Sequence, residues 1–204
     1  VSAPTAGERA ARLREWLATE PTTEQMAEVY KDISQRDRGA AKPLKEKLDE
    51  QKRQKTQEQI AVDWAQKAQT LLDQSRMNLA DAMAWQRDAA RAGAPLSREP
   101  LATLRHALAE RIKAIEDLQH RVQVEREAAV LLAQRIEVLS TKSWHEAQRS
   151  VEGLRADVAT WQQQAQRLQD DVQWLCVEAK FPPMLDGSRQ QLQLVWEAFD
   201  AALA

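Results

Sequence analysis

One pattern constrains the fold before anything else. Trp144, Ala147, Val151, Leu154, Val158, Trp161, Ala165, Leu168, Val172, Leu175 and Ala179 recur at alternating steps of three and four residues. A helix closes a turn every 3.6 residues or so, so these side chains line one face, and that face must be buried against other helices. The spacing predicts a helix over about 144–180. Ser143 with Glu146 reads as the capping box that opens it. Gly153 lies inside and weakens the helix by about 1 kcal/mol relative to Ala.

Two further segments repeat the pattern. Leu101, Leu104, Leu108, Arg111, Ile115, Leu118, Val122, Glu125, Ala129, Leu132, Ile136 and Leu139 predict a helix over about 98–140, with Ser97 as N-cap and Pro100 in the first turn. Ala61, Trp64, Ala68, Leu71, Ser75, Asn78, Ala82, Trp85 and Ala89 form a third seam. No Gly or Pro separates Pro43 from Gly93, which predicts one unbroken helix over about 43–92. Arg111, Glu125, Ser75 and Asn78 on these seams read as edge residues that snorkel to water or fix register.

Composition agrees. Among 204 residues there are 5 Gly and 7 Pro, together about half the usual combined share of these turn formers. A sandwich, a barrel or an α/β fold needs frequent turns and β-branched strands, and is excluded. Short helices flank the long ones. Thr5 with Glu8 reads as a capping box, followed by Leu13, Trp16 and Leu17 up to Pro21. Thr22-Thr23-Glu24-Gln25 opens a second helix with Met26, Val29, Tyr30 and Ile33, and Gly39 reads as its C-terminal cap. Phe181-Pro182-Pro183 reads as a stop, and Asp186-Gly187-Ser188 as the start of a last helix carrying Leu192, Val195, Trp196, Phe199 and Leu203. The expected fold is all-α: an elongated antiparallel three-helix coiled-coil bundle over 43–181, with a helical hairpin at 5–40 and an amphipathic helix at 186–204 as short elements at its two ends. The polar stretch 45–59 is expected to overhang the other two helices.

The residues that could carry chemistry are few. His106 and His120 fall opposite the seam and form i,i+4 pairs with Glu110 and Glu116. Cys176 is the single cysteine, which excludes an internal disulfide and a thiolate zinc site, and it reads as a packed thiol. There is no Gly-rich phosphate loop, nucleophile elbow or His-Glu-x-x-His, so no enzyme activity, metal or cofactor is expected. The longest apolar run, Ala128 to Ala133, is far short of the roughly 20 residues a bilayer span needs, and a cytoplasmic chain is expected. The net charge is −2, so nucleic-acid binding has to rest on a local patch. The best one runs from Lys42 to Lys55, preceded by Arg36 and Arg38. Arg36, Arg38, Lys52, Arg53 and Lys55 are its candidate phosphate contacts. Trp16 and Leu17 on the first short helix, and Trp196 and Phe199 on the last, are the candidate contacts for a protein partner or for neighbouring segments of the same protein.

Three stretches resemble a known family. Met26-Ala27-Glu28-Val29-Tyr30-Lys31-Asp32-Ile33-Ser34-Gln35-Arg36-Asp37-Arg38-Gly39-Ala40-Ala41, Gln119-His120-Arg121-Val122-Gln123, and Val195-Trp196-Glu197-Ala198-Phe199-Asp200-Ala201-Ala202-Leu203 are similar to the large bacterial helical proteins assigned to domain of unknown function 349. The resemblance implies an all-helical fragment of a longer bacterial protein. It implies no catalytic residues, since none are defined for that family. The functional expectation is a non-enzymatic spacer or scaffold, with a nucleic-acid-associated protein as the alternative.

Overall fold

The computed structural model describes residues 6–36 and 38–203. They are all-helical, with no strand among them. In chain order the helices are α1 (Ala6–Leu17), α2 (Thr23–Arg36), α3 (Arg38–Leu72), α4 (Leu79–Arg91), α5 (Leu101–Ser140), α6 (Trp144–Asp170), a 3-10 turn (Val172–Cys176) and α7 (Phe181–Leu203). The chain divides into two compact units, Val1–Asp63 and Trp64–Ala204, with the boundary inside α3.

In the first unit, Leu13 and Leu17 of α1 and Met26 and Ile33 of α2 pack against Ala41, Leu44 and Leu48 of α3. Met26 and Leu44 are fully buried. The hairpin expected at this end is therefore completed by the start of α3. Thr22 caps α2: its hydroxyl accepts from the Gln25 amide at 3.2 Å, and the Gln25 side chain accepts from the Thr22 amide at 3.0 Å. The capping box expected at Thr5 lies outside the described residues. Gly39 is not a C-cap. It sits in the first turn of α3, and Pro43 lies inside that helix rather than opening it.

The second unit differs from expectation in which helices share a core. The helix expected over 43–92 is broken: α3 ends at Leu72 and α4 begins at Leu79. Asn78 causes the restart. Its side-chain oxygen accepts from the Asp81 amide at 3.1 Å, so the residue expected on a seam is the N-cap of α4. The predicted seam ran across the break in phase only because Ser75 and Asn78 happened to fall at its spacing. Both are exposed.

α6 is also shorter than expected. It ends at Asp170, where Asp171 accepts from the Gln173 amide at 2.9 Å and starts the 3-10 turn. Phe181-Pro182-Pro183 does not stop a helix. It begins α7, whose first turn tolerates Pro because those amides have no helical partner. Gly187 lies within α7. The gain is a longer apolar face: Phe181 and Leu185 join Leu192 and Phe199 in the core.

The central trio is thus α5, α6 and α7, and all three pairs are in contact. Arg135 of α5 reaches Asp157 of α6 at 2.8 Å, and Trp161 of α6 reaches the Glu125 carbonyl at 2.7 Å, so α5 and α6 run antiparallel. Arg155 of α6 meets Asp200 of α7 at 3.1 Å, and Gln169 meets Asp186 at 3.0 Å, so α6 and α7 do too. Leu118, Val122, Ala129, Leu132 and Ile136 of α5 face Val151, Leu154, Val158, Trp161 and Leu168 of α6 in this core. Each of the Val, Leu and Ile side chains contributes about 1.5–3 kcal/mol by leaving water.

Against the N-terminal half of α5 packs α4. Trp85 of α4 meets Trp64 of α3 edge-on with centroids 6.2 Å apart, and its indole donates to the Trp64 carbonyl at 3.1 Å. α4 closes on a Schellman turn, in which the Gly93 amide donates to the Ala90 carbonyl and the Ala94 amide to the Ala89 carbonyl. Gly93 adopts φ +68°, the left-handed conformation that the motif requires. Ser97, expected as the N-cap of α5, makes no cap. The Glu99 carboxylate accepts from the Thr103 amide and hydroxyl instead.

Candidate functional site

The densest polar constellation lies where α3 ends. Arg111, expected at a seam edge, points its guanidinium across the chain. Nη1 donates to the Leu72 carbonyl at 2.7 Å, Nη2 to the Gln74 carbonyl at 2.7 Å, and Nε to the Gln173 side chain at 3.1 Å. Carbonyls at a helix C-terminus lack intrahelical donors and carry partial negative charge, so a cation is well placed there. Nη2 also lies 3.4 Å from Cys176 Sγ, and that thiol donates to the Ser75 carbonyl at 3.3 Å. Cys176 is buried and forms no disulfide. One side chain thereby joins the end of α3, the link to α4 and the 3-10 turn.

Gln119 does a similar task further along α5. It is buried, and its carbonyl oxygen accepts from the Glu178 amide at 2.9 Å, holding the lead-in to α7. Sequence reasoning passed over it, because a lone Gln next to a Leu on a long helix carries no signal of its own. Glu125 is half-buried, and burial pushes its carboxyl above the ordinary glutamate value. His106 and His120 are exposed on α5. Among the described residues no three or more His, Cys, Asp or Glu side chains converge on a point.

The candidate partner contacts divide into two kinds. Leu17 and Phe199 are buried in their own cores. Trp16 and Trp196 are partly exposed. Trp196 packs at a tilt against Phe199 with centroids 5.8 Å apart, and the Arg155 guanidinium lies 5.6 Å from its ring centre. Each end of the pattern also borders a groove. Arg9, Arg12, Leu13, Trp16, Val29 and Ile33 line one of about 270 Å³ in the first unit. Ile136, Leu139, Trp144, Val195, Phe199 and Leu203 are among the residues lining one of about 500 Å³ in the second. Trp144, the first residue of the most regular seam, is 59% exposed at that groove rather than in the core.

Of the candidate phosphate contacts, Lys52, Arg53 and Lys55 are exposed on α3. Arg36 ends α2 and Arg38 begins α3, and their side chains lie outside the described residues. No helix among the described residues is long and apolar enough to cross a membrane.

Fold and surface together define an all-helical protein of two compact units whose helices carry exposed apolar and aromatic side chains beside open grooves. No family model, curated protein or solved structure matches the chain.

Proposed function

We propose that this chain is a non-enzymatic interaction module in which coiled-coil-like helix packing serves as a spacer. α5 carries the reading. It is a single helix of 40 residues, about 60 Å long, backed by α6 and α7 over its C-terminal half and by α4 over its N-terminal half. A helix braced along its length in this way holds what is attached to it at a fixed separation. The half-exposed Trp16, which lines one groove, and the half-exposed Trp196, which packs on Phe199, are the anchors for protein partners or for neighbouring segments of a longer cytoplasmic bacterial protein.

The test is affinity capture on wild-type chain and on Trp16→Ala and Trp196→Ala variants. Loss of captured proteins in at least one variant, unaffected by nuclease, is the expected result. Undiminished capture by both overturns the reading.

A second reading is favoured by the cluster of exposed Lys52, Arg53 and Lys55 on one stretch of α3. It makes the chain nucleic-acid-associated through phosphate contacts. Salt-sensitive binding of single- or double-stranded oligonucleotides, abolished by changing all three to Gln, would support it. Binding that survives the triple change rejects it.

A further inference from the structure

The joint between α3 and α4 carries no helix breaker of its own and is held bent by contacts from elsewhere in the chain. We propose that this joint is the hinge of a domain swap. In a second folded state α3 and α4 form one continuous helix, and α3 of each copy packs on α4 of a second copy. The joint residues, Asp73 to Asn78, include neither Gly nor Pro. In a continuous helix the carbonyls of Leu72, Gln74 and Ser75 would accept from the amides four positions on. Here the Arg111 guanidinium takes the first two, each at 2.7 Å, and the Cys176 thiol takes the third at 3.3 Å. Met77 is buried, and Asn78 restarts the helix as a cap. These groups stand in for a helix ladder, so straightening the joint leaves the three carbonyls satisfied.

The two arms already pair in the way the exchange needs. Trp64 of α3 and Trp85 of α4 meet edge-on with centroids 6.2 Å apart, and the Trp85 indole donates to the Trp64 carbonyl at 3.1 Å. Both lie the same number of positions from the midpoint of the joint, which falls between Gln74 and Ser75. Ala68 and Ala82, both buried, lie nearly equally far from it. A straightened helix keeps all four on one face, because Ser75 and Asn78 carry the spacing of three and four across the joint. Two such helices, antiparallel about a two-fold axis at that midpoint, set Trp64 against Trp85 of the partner subunit. By symmetry, Trp85 meets Trp64 of the partner subunit. These are the contacts the single chain makes with itself, so the fold already defines a second copy as the occupant. The exchange breaks the Arg111 bonds to Leu72 and Gln74 and gives up the burial of Met77. Arg111 is thus the latch of the closed form. The exchange involves neither Trp16 nor Trp196 and does not depend on the spacer reading.

Size-exclusion chromatography of the full chain, refolded from urea at millimolar concentration, tests the proposal, with cross-linking as the second measurement. Wild type should give a monomer and a slowly exchanging dimer. Ser75→Ala combined with Asn78→Ala should raise the association constant at least about tenfold, because each of two joints loses a cap and gains helix propensity. Arg111→Gln should raise it too, by releasing the latch. Inserting Gly-Ser-Gly-Gly after Ser75 interrupts the continuous helix and should abolish the dimer, with the helical circular dichroism signal retained. Lys67 and Asp81 are exposed, one on each arm. In a Cys176→Ala background, Lys67→Cys chains refolded together with Asp81→Cys chains should join through a short bismaleimide. Either chain refolded alone should not, since copies of one position stand about 20 Å apart across the axis. Wild type that refolds to monomer alone overturns the proposal. So does a dimer that survives the insertion, or an Ala double variant that dimerises no more than wild type. Should that variant fail to fold, the insertion and the cross-linking pattern decide.

Discussion

The Arg111 guanidinium donates to the Leu72 carbonyl at 2.7 Å and so closes the C-terminal end of α3 from a helix thirty-nine positions further along the chain. The same group holds the Gln74 carbonyl and the Gln173 side chain. Arg111→Ala should therefore destabilise the chain by about 2–3 kcal/mol in urea denaturation, because several charge-assisted bonds go at once. Arg111→Lys should recover less than half of that, since an ammonium cannot reproduce the planar fork. A Lys variant as stable as wild type would show that charge alone is enough at this position.

Trp161 and Trp144 both fall on the seam pattern, yet the structure treats them differently. Trp161 is buried and its indole donates to the Glu125 carbonyl at 2.7 Å. Trp161→Ala should cost about 3–5 kcal/mol. Trp144→Ala should change stability by no more than about 0.5 kcal/mol. Comparable losses in the two variants, read from chemical denaturation, would contradict the placement of Trp144 at the surface.

Asn78 and Ser97 make a second contrast. Asn78→Ala should remove the α4 cap and cost about 1 kcal/mol, with Asn78→Gly losing only a few tenths. Ser97→Ala should be neutral, because Glu99 and not Ser97 supplies the acceptor at the start of α5. Thermal melts of the three variants separate these outcomes.

Gly153 lies inside α6, and a Cβ built there meets nothing within 4 Å. Gly153→Ala should stabilise the chain by about 0.5–1 kcal/mol through the unfolded state and helix propensity. Gly93 also has open space around it but adopts φ +68°. Gly93→Ala should instead lose about 1–2 kcal/mol from backbone strain. Opposite shifts in the urea midpoint are the expected signature.

The raised carboxyl of Glu125 has a defined sign. Burial lifts its pKa in the folded chain, so above the unfolded value, about 4.3, the folded state holds more proton than the unfolded one. Stability tied to this group is present below that value and is lost as pH rises through the folded pKa. Glu125→Gln removes the effect, so its stability relative to wild type should increase as pH goes from 4 to 7. A difference independent of pH would mean that Glu125 is as well solvated in the folded chain as in the unfolded one.

Helical class was legible in the sequence because a helix must repeat its apolar face every three or four residues, and α5 and α6 do so without interruption. Their antiparallel pairing followed from the short turn at Ser140 to Ser143. The positions of Leu154, Val158, Trp161 and Leu168 in the core were legible for the same reason. Which third helix completes that core was not. Two segments offered compatible stripes, and the choice fell on α7 because Asn78 breaks the first long segment and Phe181 and Leu185 extend the last one. Phe181 and Leu185 stand at helical spacing from Ser188 and Leu192, a signal masked by the two prolines between them.

Local periodicity is a property of neighbours along the chain, and the order of residues alone determines it. Chain order therefore determined that this protein is built of amphipathic helices and roughly where most of them run. Tertiary structure decided what each face meets: Arg111 on the end of α3, Gln119 on the lead-in to α7, Trp144 in solvent, and Val124, Leu131 and Val138 left open. Those outcomes depend on groups far apart in sequence competing for the same surface and the same unpaired carbonyls. No periodicity records that competition, because its result exists only once the helices have packed.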